Sequence, residues 1–128
     1  MHKTTKWTTS VCNGSLILSA AALLNGTIAT CHWGSFDLLK SLGAIPTDVR
    51  VVHQGKIVTA AGVSSGIDMV LHLLAWELGE DIRKSFQLIL ENDPQPPYDA
   101  GSPKKAPSLL VVQIGGMLQE LAKPEPNV

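Results

Sequence analysis

Thr8–Leu18 reads TTSVCNGSLIL, and the fold turns on how this stretch is read. The β-prone run Lys6–Val11 (KWTTSV) leads into Cys12. Ser10 lies two positions before the cysteine, Gly14 lies two after it, and an Ala- and Leu-rich segment with helical spacing, Gly14–Leu24, follows at once. This is the pattern of a nucleophile elbow, with cysteine where the G-x-S-x-G turn carries serine. A sharp strand-to-helix turn strains the backbone at its apex, and small flanking residues let the chain pass closely. Unpaired N–H groups at the helix start, next to the thiol, favour the thiolate and can hold an oxyanion, which places Asn13 and Gly14 in the candidate pocket. The same residues also fit a buried cysteine ending a strand before an ordinary helix, because free cysteine is a common core residue.

Outward from this stretch, strand and helix signals alternate. Asn25-Gly26 ends the first helical segment, and Thr27–Cys31 (TIATC) is a second β-branched run. Ser35 is placed to cap a helix over Phe36–Leu42, with Gly43 ending it. Pro46 breaks the chain before Val49–His53, and Gln54-Gly55 turns it into Ile57–Ala60, so these two runs read as a hairpin or edge pair. The clearest helix spans Ser65–Leu78, where Ile67, Val70, Leu71, Leu74 and Leu78 follow one face. Gly79 ends it, and Glu80-Asp81 open another helix that runs to Leu90. Asp93–Pro107 holds five of the eight prolines and reads as an ordered, extended loop or linker before a last helix, Leu109–Leu121. The expected division is one partial domain over 1–122 and a frayed tail over 123–128. Short strands separated by helices indicate an α/β layered domain with a mainly parallel sheet.

The chain has 128 residues, 45% of them hydrophobic and 16% charged, with ten basic against eleven acidic side chains. That composition excludes a disordered, charge-rich chain, and it supplies no basic stripe for nucleic acid. No run reaches the ~18–20 apolar residues a membrane span needs. Met1–Thr9 has no apolar core for a secretory signal, and two cysteines are too few for a disulfide scaffold, so the expected location is cytoplasmic. The high apolar fraction points to a surface covered by something else, such as a partner subunit.

His32 is the second candidate for chemistry. It follows the next predicted strand, and parallel α/β sheets gather their sites at the carboxyl ends of strands. A Cys–His pair there activates a thiol; equally, a histidine at a strand end can serve a local hydrogen bond. His2, His53 and His72 have no such placement. Cys31 and His32 are adjacent with no further Cys/His cluster, so neither a metal site nor a cofactor is expected. Gly62–Asp68 (GVSSGID) is another strand-to-helix junction of small residues. Ser64 or Ser65 can cap the helix, Gly66 permits close packing, and Ser65 and Gly66 can line a pocket beside the elbow.

Three blocks, TSVCNGSLILSAAALLNGTIATCHW (9–33), VTAAGVSSGIDMVLHL (58–73) and DPQPPYDAGSP (93–103), occur in this order and together resemble the DJ-1/PfpI (ThiJ) family of class I glutamine amidotransferase-like proteins, nearest to its isonitrile hydratase branch. The resemblance implies the carboxyl-terminal part of a flavodoxin-like, three-layer sandwich. It implies Cys12 as the elbow nucleophile, His32 as the histidine after the next strand, and a small electrophile, an isonitrile or carbonyl compound, as substrate. Two positions depart from the family's pattern: Asn13 and Cys31 stand where threonine is usual. Relatives also carry further strands, a glycine-rich loop and an acidic residue ahead of the elbow. No carboxylate here matches that context, so weak or absent catalysis is expected, with a non-catalytic ligand-binding or dimerisation module, or a truncated product of a longer protein of this family, as the alternatives. With the apolar composition, the resemblance also implies a homodimer.

Overall fold

The computed structural model describes residues 2–123, and they form two units, one ending at Asn92 and one beginning at Asp93. The expected fraying over 124–128 lies outside the described residues.

The first unit is built on a three-stranded sheet. Strand β1 (Thr8–Val11) leads through the elbow into α1 (Gly14–Ala20). After β2 (Ile28–Ala29), a 3-10 turn (Trp33–Ser35) and α2 (Phe36–Ser41) come β3 (Ile45–Pro46), β4 (Val51–Gln54) and β5 (Ile57–Ala60). Helices α3 (Ser65–Leu78) and α4 (Glu80–Ile89) complete the unit. The sheet order is β1-β5-β4; β1 pairs with β5 in parallel, and β4 pairs with β5 antiparallel as the expected hairpin. Strands β2 and β3 form a separate parallel pair.

Strand alternation sorts the side chains into two cores. Val58 and Ala60 face Met69 and Leu73 of α3, with Val11 and Val51 beside them. The opposite face carries Ser10, Ile57 and Thr59, and there Leu24, Ala29, Cys31, Leu39 and Ala44 form the second core, supported by Leu16, Leu18 and Phe36. Helices therefore cover both faces of the sheet. No helix among the described residues is long and apolar enough to cross a membrane.

Several boundaries differ from expectation for physical reasons. Helix α1 stops at Ala20 rather than near Leu24. Ala22 takes a left-handed φ of 57°, and the Leu23 N–H turns back to the Leu18 carbonyl at 3.0 Å, the geometry glycine usually supplies at a helix end. The early stop swings Leu24 into the core, where it is fully buried. The run Thr27–Cys31 yields only a two-residue strand, because side chains take the Thr30 backbone groups. Thr59 Oγ1 accepts the Thr30 N–H at 2.9 Å and Ser15 Oγ donates to the Thr30 carbonyl at 2.7 Å. Strand β2 thus joins the main sheet by side-chain bridges instead of a ladder. Pro46 lies within β3 rather than breaking the chain. Ile45 and Thr47 donate to the β2 side, and the intervening proline needs no donor there.

Helix α3 has the expected bounds, but its buried residues are Ser65, Met69 and Leu71, while Ile67, Val70 and Leu78 are exposed. The cause is the close approach of its first turn to β1, which sets which side of the helix faces the sheet. An aromatic stack lies along the same helix. The ring centroids of His53 and Trp76 are 4.3 Å apart, Trp7 lies 5.6 Å from Trp76, and His72 lies 5.7 Å from it. Glu77 accepts from Lys6 and from Trp7 Nε1, the latter at 2.6 Å. The Lys6 ammonium first and the Trp7 indole N–H second hold the Glu77 carboxyl below its ordinary value.

In the second unit, Asp93–Pro107 forms the ordered loop expected of its prolines. The Ser102 carbonyl accepts from the Lys105 and Ala106 N–H groups, and Lys105 pairs with Asp99 at 2.6 Å. Pro107 precedes α5 (Ser108–Leu121).

Candidate functional site at the elbow

The elbow forms as the sequence pattern requires. Cys12 has φ 57°, a left-handed conformation that costs a residue with a Cβ roughly 1–2 kcal/mol. Its N–H lies between two carbonyls, Ala60 at 3.0 Å and Ala61 at 2.7 Å, so the end of β5 holds the strained residue in place. The flanking small residues are needed: a Cβ on Gly14 would meet Ser10 Cβ at 3.3 Å, and one on Gly66 would meet Val11 Cγ2 at 3.2 Å. Ser10 and Ser15 are buried and share a 2.7 Å hydrogen bond. Because Ser15 Oγ donates onward to Thr30, Ser10 is the donor of this pair. This buried chain ties β1, α1 and the segment carrying Cys31 and His32 into one frame.

His32 makes the local bond that its position allows. It caps the 3-10 turn, its Nδ1 accepting the Gly34 N–H at 3.2 Å. An accepting Nδ1 places the proton of the neutral ring on Nε2. The ring also borders Gly62, where a Cβ would lie 4.0 Å from His32 Cδ2. Cys12, anchored on Ala60 and Ala61, and His32, beside Gly62, thus converge on the carboxyl end of β5. Asn13 is exposed at the helix start and does not cap it; its Oδ1 accepts from Ser35 Oγ at 2.9 Å. Ser35 does not cap its helix as expected; its hydroxyl instead joins the residue after Cys12 to the turn after His32. Nothing in the one-dimensional pattern signals that bridge.

The second junction behaves similarly. Neither Ser64 nor Ser65 caps α3: Arg50 donates to Ser64 Oγ at 3.2 Å and also pairs with Asp68. Ser65 is buried, and among the described residues its hydroxyl and that of Thr30 are the buried side-chain oxygens without a hydrogen-bond partner. Gly66 packs against Val11, directly before Cys12. Gly14, Ser65 and Gly66 therefore shape the elbow from behind.

Both cysteines are free, Cys12 half-buried and Cys31 buried, and no group of three or more His, Cys, Asp or Glu capable of holding a metal occurs among the described residues. Burial pushes the Cys31 thiol up from 9.0 to about 12, and a charge on Cys12 adds to the shift. The folded chain keeps a proton that the unfolded chain releases above pH 9. Stability is therefore full below about pH 9 and falls as pH rises toward 12. Urea unfolding at about pH 8 and about pH 10.5 is expected to show this loss, and Cys31→Ala to remove most of it.

A cysteine at a strained strand-to-helix turn, backed by small residues and joined through Asn13 and Ser35 to the turn after His32, matches a known family. A model of the DJ-1/PfpI family matches residues 1–76. The isonitrile hydratase of Pseudomonas putida is 50% identical over 106 residues, which make up 83% of this chain and 46% of that protein. The crystal structure of a ThiJ/PfpI family protein from Pseudomonas syringae superposes with a TM-score of 0.86 at 44% identity, over 91% of this chain and 48% of that one. DJ-1 of Schizosaccharomyces pombe shares the fold at 22% identity, with a TM-score of 0.59 over 73% of this chain and 47% of that one. The chain spans about half the length of each of these relatives. With its elbow, its helix-covered sheet and more than half its residues matching, the chain belongs to the DJ-1/PfpI family.

Proposed function

We propose that Cys12 is a nucleophile toward a small carbon electrophile, and that the reaction is hydration of an isonitrile to an N-substituted formamide. The observation that carries this reading is the strained φ of Cys12, clamped by the Ala60 and Ala61 carbonyls, because such strain persists only where the surrounding structure enforces it. The kinship with the Pseudomonas putida isonitrile hydratase supports the substrate class. In this scheme the Cys12 thiolate bonds to the terminal isonitrile carbon, and a general acid protonates that carbon to give a thioimidate. Water then adds to the same carbon, the C–S bond breaks, and nitrogen takes a proton as the formamide leaves. The balance is one water added, with no oxidation or reduction.

His32 enters as a hydrogen-bond donor through Nε2–H, since the Gly34 N–H occupies Nδ1. The general acid is not among Cys12, His32 and the pocket residues, and such help is worth roughly 10²–10⁴-fold, so turnover by this chain alone is slow. The occupied Nδ1 also favours a second reading, a non-catalytic binding or dimerisation module. Either way the protein acts in a reducing cytoplasm, on or with a small molecule, as a homodimer and without nucleic acid.

Formamide production from an isonitrile tests the scheme. The unmodified chain is expected to turn over slowly and Cys12→Ala not at all; equal rates would sink the nucleophile. His32→Asn offers the Gly34 N–H an alternative acceptor but removes the Nε2 donor. It is expected to keep the melting temperature and lower the single-turnover rate by about 10²-fold, the scale of one lost oxyanion donor. His32→Ala should in addition destabilise by about 1 kcal/mol through the lost cap.

A further inference from the structure

The junction between β5 and α3 touches both members of the candidate pair. The Ala60 and Ala61 carbonyls hold the Cys12 N–H at 3.0 and 2.7 Å. Gly62 borders the His32 ring, where an added Cβ would lie 4.0 Å from Cδ2, and Gly66, in the first turn of α3, packs on Val11. A shift of this short segment therefore moves the thiol and the imidazole relative to each other. Neither Ser64 nor Ser65 caps α3, so something other than a helix cap fixes where the junction ends.

One residue holds it from both sides. The β4-β5 ladder runs to the pair Val51 and Ala60, and one step beyond it the Ala61 N–H donates to the Arg50 carbonyl at 2.9 Å. The Arg50 side chain then spans the junction. A terminal guanidinium nitrogen donates to Ser64 Oγ at 3.2 Å, while Nε pairs with Asp68 in the first turn of α3. The backbone of Arg50 thus sets the start of the segment and its guanidinium the end. As a contribution to stability, such a half-exposed ion pair counts for little. Its geometry is more specific. Two donors fixed in one plane reach a hydroxyl and a carboxylate at once, and a lysine ammonium has no such fork.

We propose that Arg50 is a positioning residue, which through Ala61 and Gly62 keeps Cys12 and His32 in register. The inference rests on the reading of Cys12 and His32 as the working pair, yet the placement itself can be measured without turnover.

The experiment compares the full chain with Arg50→Lys and Arg50→Ala by NMR, amide exchange and urea unfolding. The unmodified chain should show a nuclear Overhauser effect between the His32 ring proton on Cδ2 and the Gly62 α protons, and a slowly exchanging Cys12 amide. Both variants are expected to lose that contact and to exchange the Cys12 amide about tenfold faster or more. The Ser10 amide, which alternation along β1 also turns toward β5, should stay within about twofold, and the urea midpoint should barely move. Single-turnover formamide formation should fall in step. An intact contact and an unchanged Cys12 amide in Arg50→Ala overturn the proposal. So does Arg50→Lys behaving like the unmodified chain, which would leave the charge and not the fork as the acting feature. A general rise in exchange with a lowered midpoint also overturns it, since the role would then be structural only. Absence of formamide from the unmodified chain counts against the isonitrile reading alone, because contact and exchange are read without it.

Discussion

Cys12→Gly is expected to abolish turnover while leaving the fold at least as stable as before. In the proposed scheme the thiol supplies the bond-forming atom, and loss of such a nucleophile costs on the order of 10⁶-fold in a well-studied hydrolase. Stability should move the other way. A left-handed φ of 57° costs the cysteine roughly 1–2 kcal/mol, which glycine does not incur. Against this, glycine frees the unfolded backbone at a cost of roughly 0.5–1 kcal/mol. The difference lies between zero and about 1.5 kcal/mol in favour of the variant. Cys12→Ala separates the effects, since it removes the thiol and keeps the strain. Urea midpoints and formamide formation measured on the same preparations check both halves. A glycine variant destabilised by more than about 1 kcal/mol would show that the cysteine is held for packing rather than against strain.

Leu39→Ala is expected to give the largest loss of stability, about 2–5 kcal/mol, the range for a buried leucine whose site collapses only partly. Leu39 is fully buried with Leu24, Ala29, Cys31 and Ala44, and Leu16, Leu18, Phe36 and Ile57 close the cluster. This core lies beneath the segment that carries Cys31 and His32, so the cavity also loosens the frame that sets His32 against β5. For a domain whose whole stability is about 5–15 kcal/mol, that loss is a large share. The urea midpoint should fall with an unchanged slope, whereas Leu38→Ala, at a neighbouring exposed position, should shift it little.

Much of the site is legible in the sequence because the elbow is a local feature. Ser10, Cys12, Gly14 and the change from β-prone to helical residues all lie within a few positions, and Gly79 marks the end of α3 equally locally. The hairpin of β4 and β5 follows from Gln54-Gly55 between two β-branched runs. The features that the sequence hides are set by partners distant along the chain. Thr59 and Ser15 capture the Thr30 backbone and shorten β2, Ser35 bridges to Asn13 instead of capping α2, and Arg50 takes Ser64 away from α3. The exposed side of α3 departs from its apolar periodicity because Ser65 and Gly66, placed against β1, orient the helix more strongly than its larger apolar residues. Ala22 adopts glycine's conformation without glycine's signature.

The three tryptophans are divided between two neighbourhoods. Trp76 stacks on His53 and Trp7 packs beside both where the start of β1 meets α3, whereas the Trp33 ring lies 5.6 Å from His32. The molecule therefore carries two native fluorophore groups, one sensing the docking of α3 on the sheet and the other the turn beside the candidate nucleophile. Trp33→Phe leaves the first group alone and Trp7→Phe combined with Trp76→Phe leaves the second, so ligand arrival at the elbow can be followed optically apart from unfolding, without any attached dye.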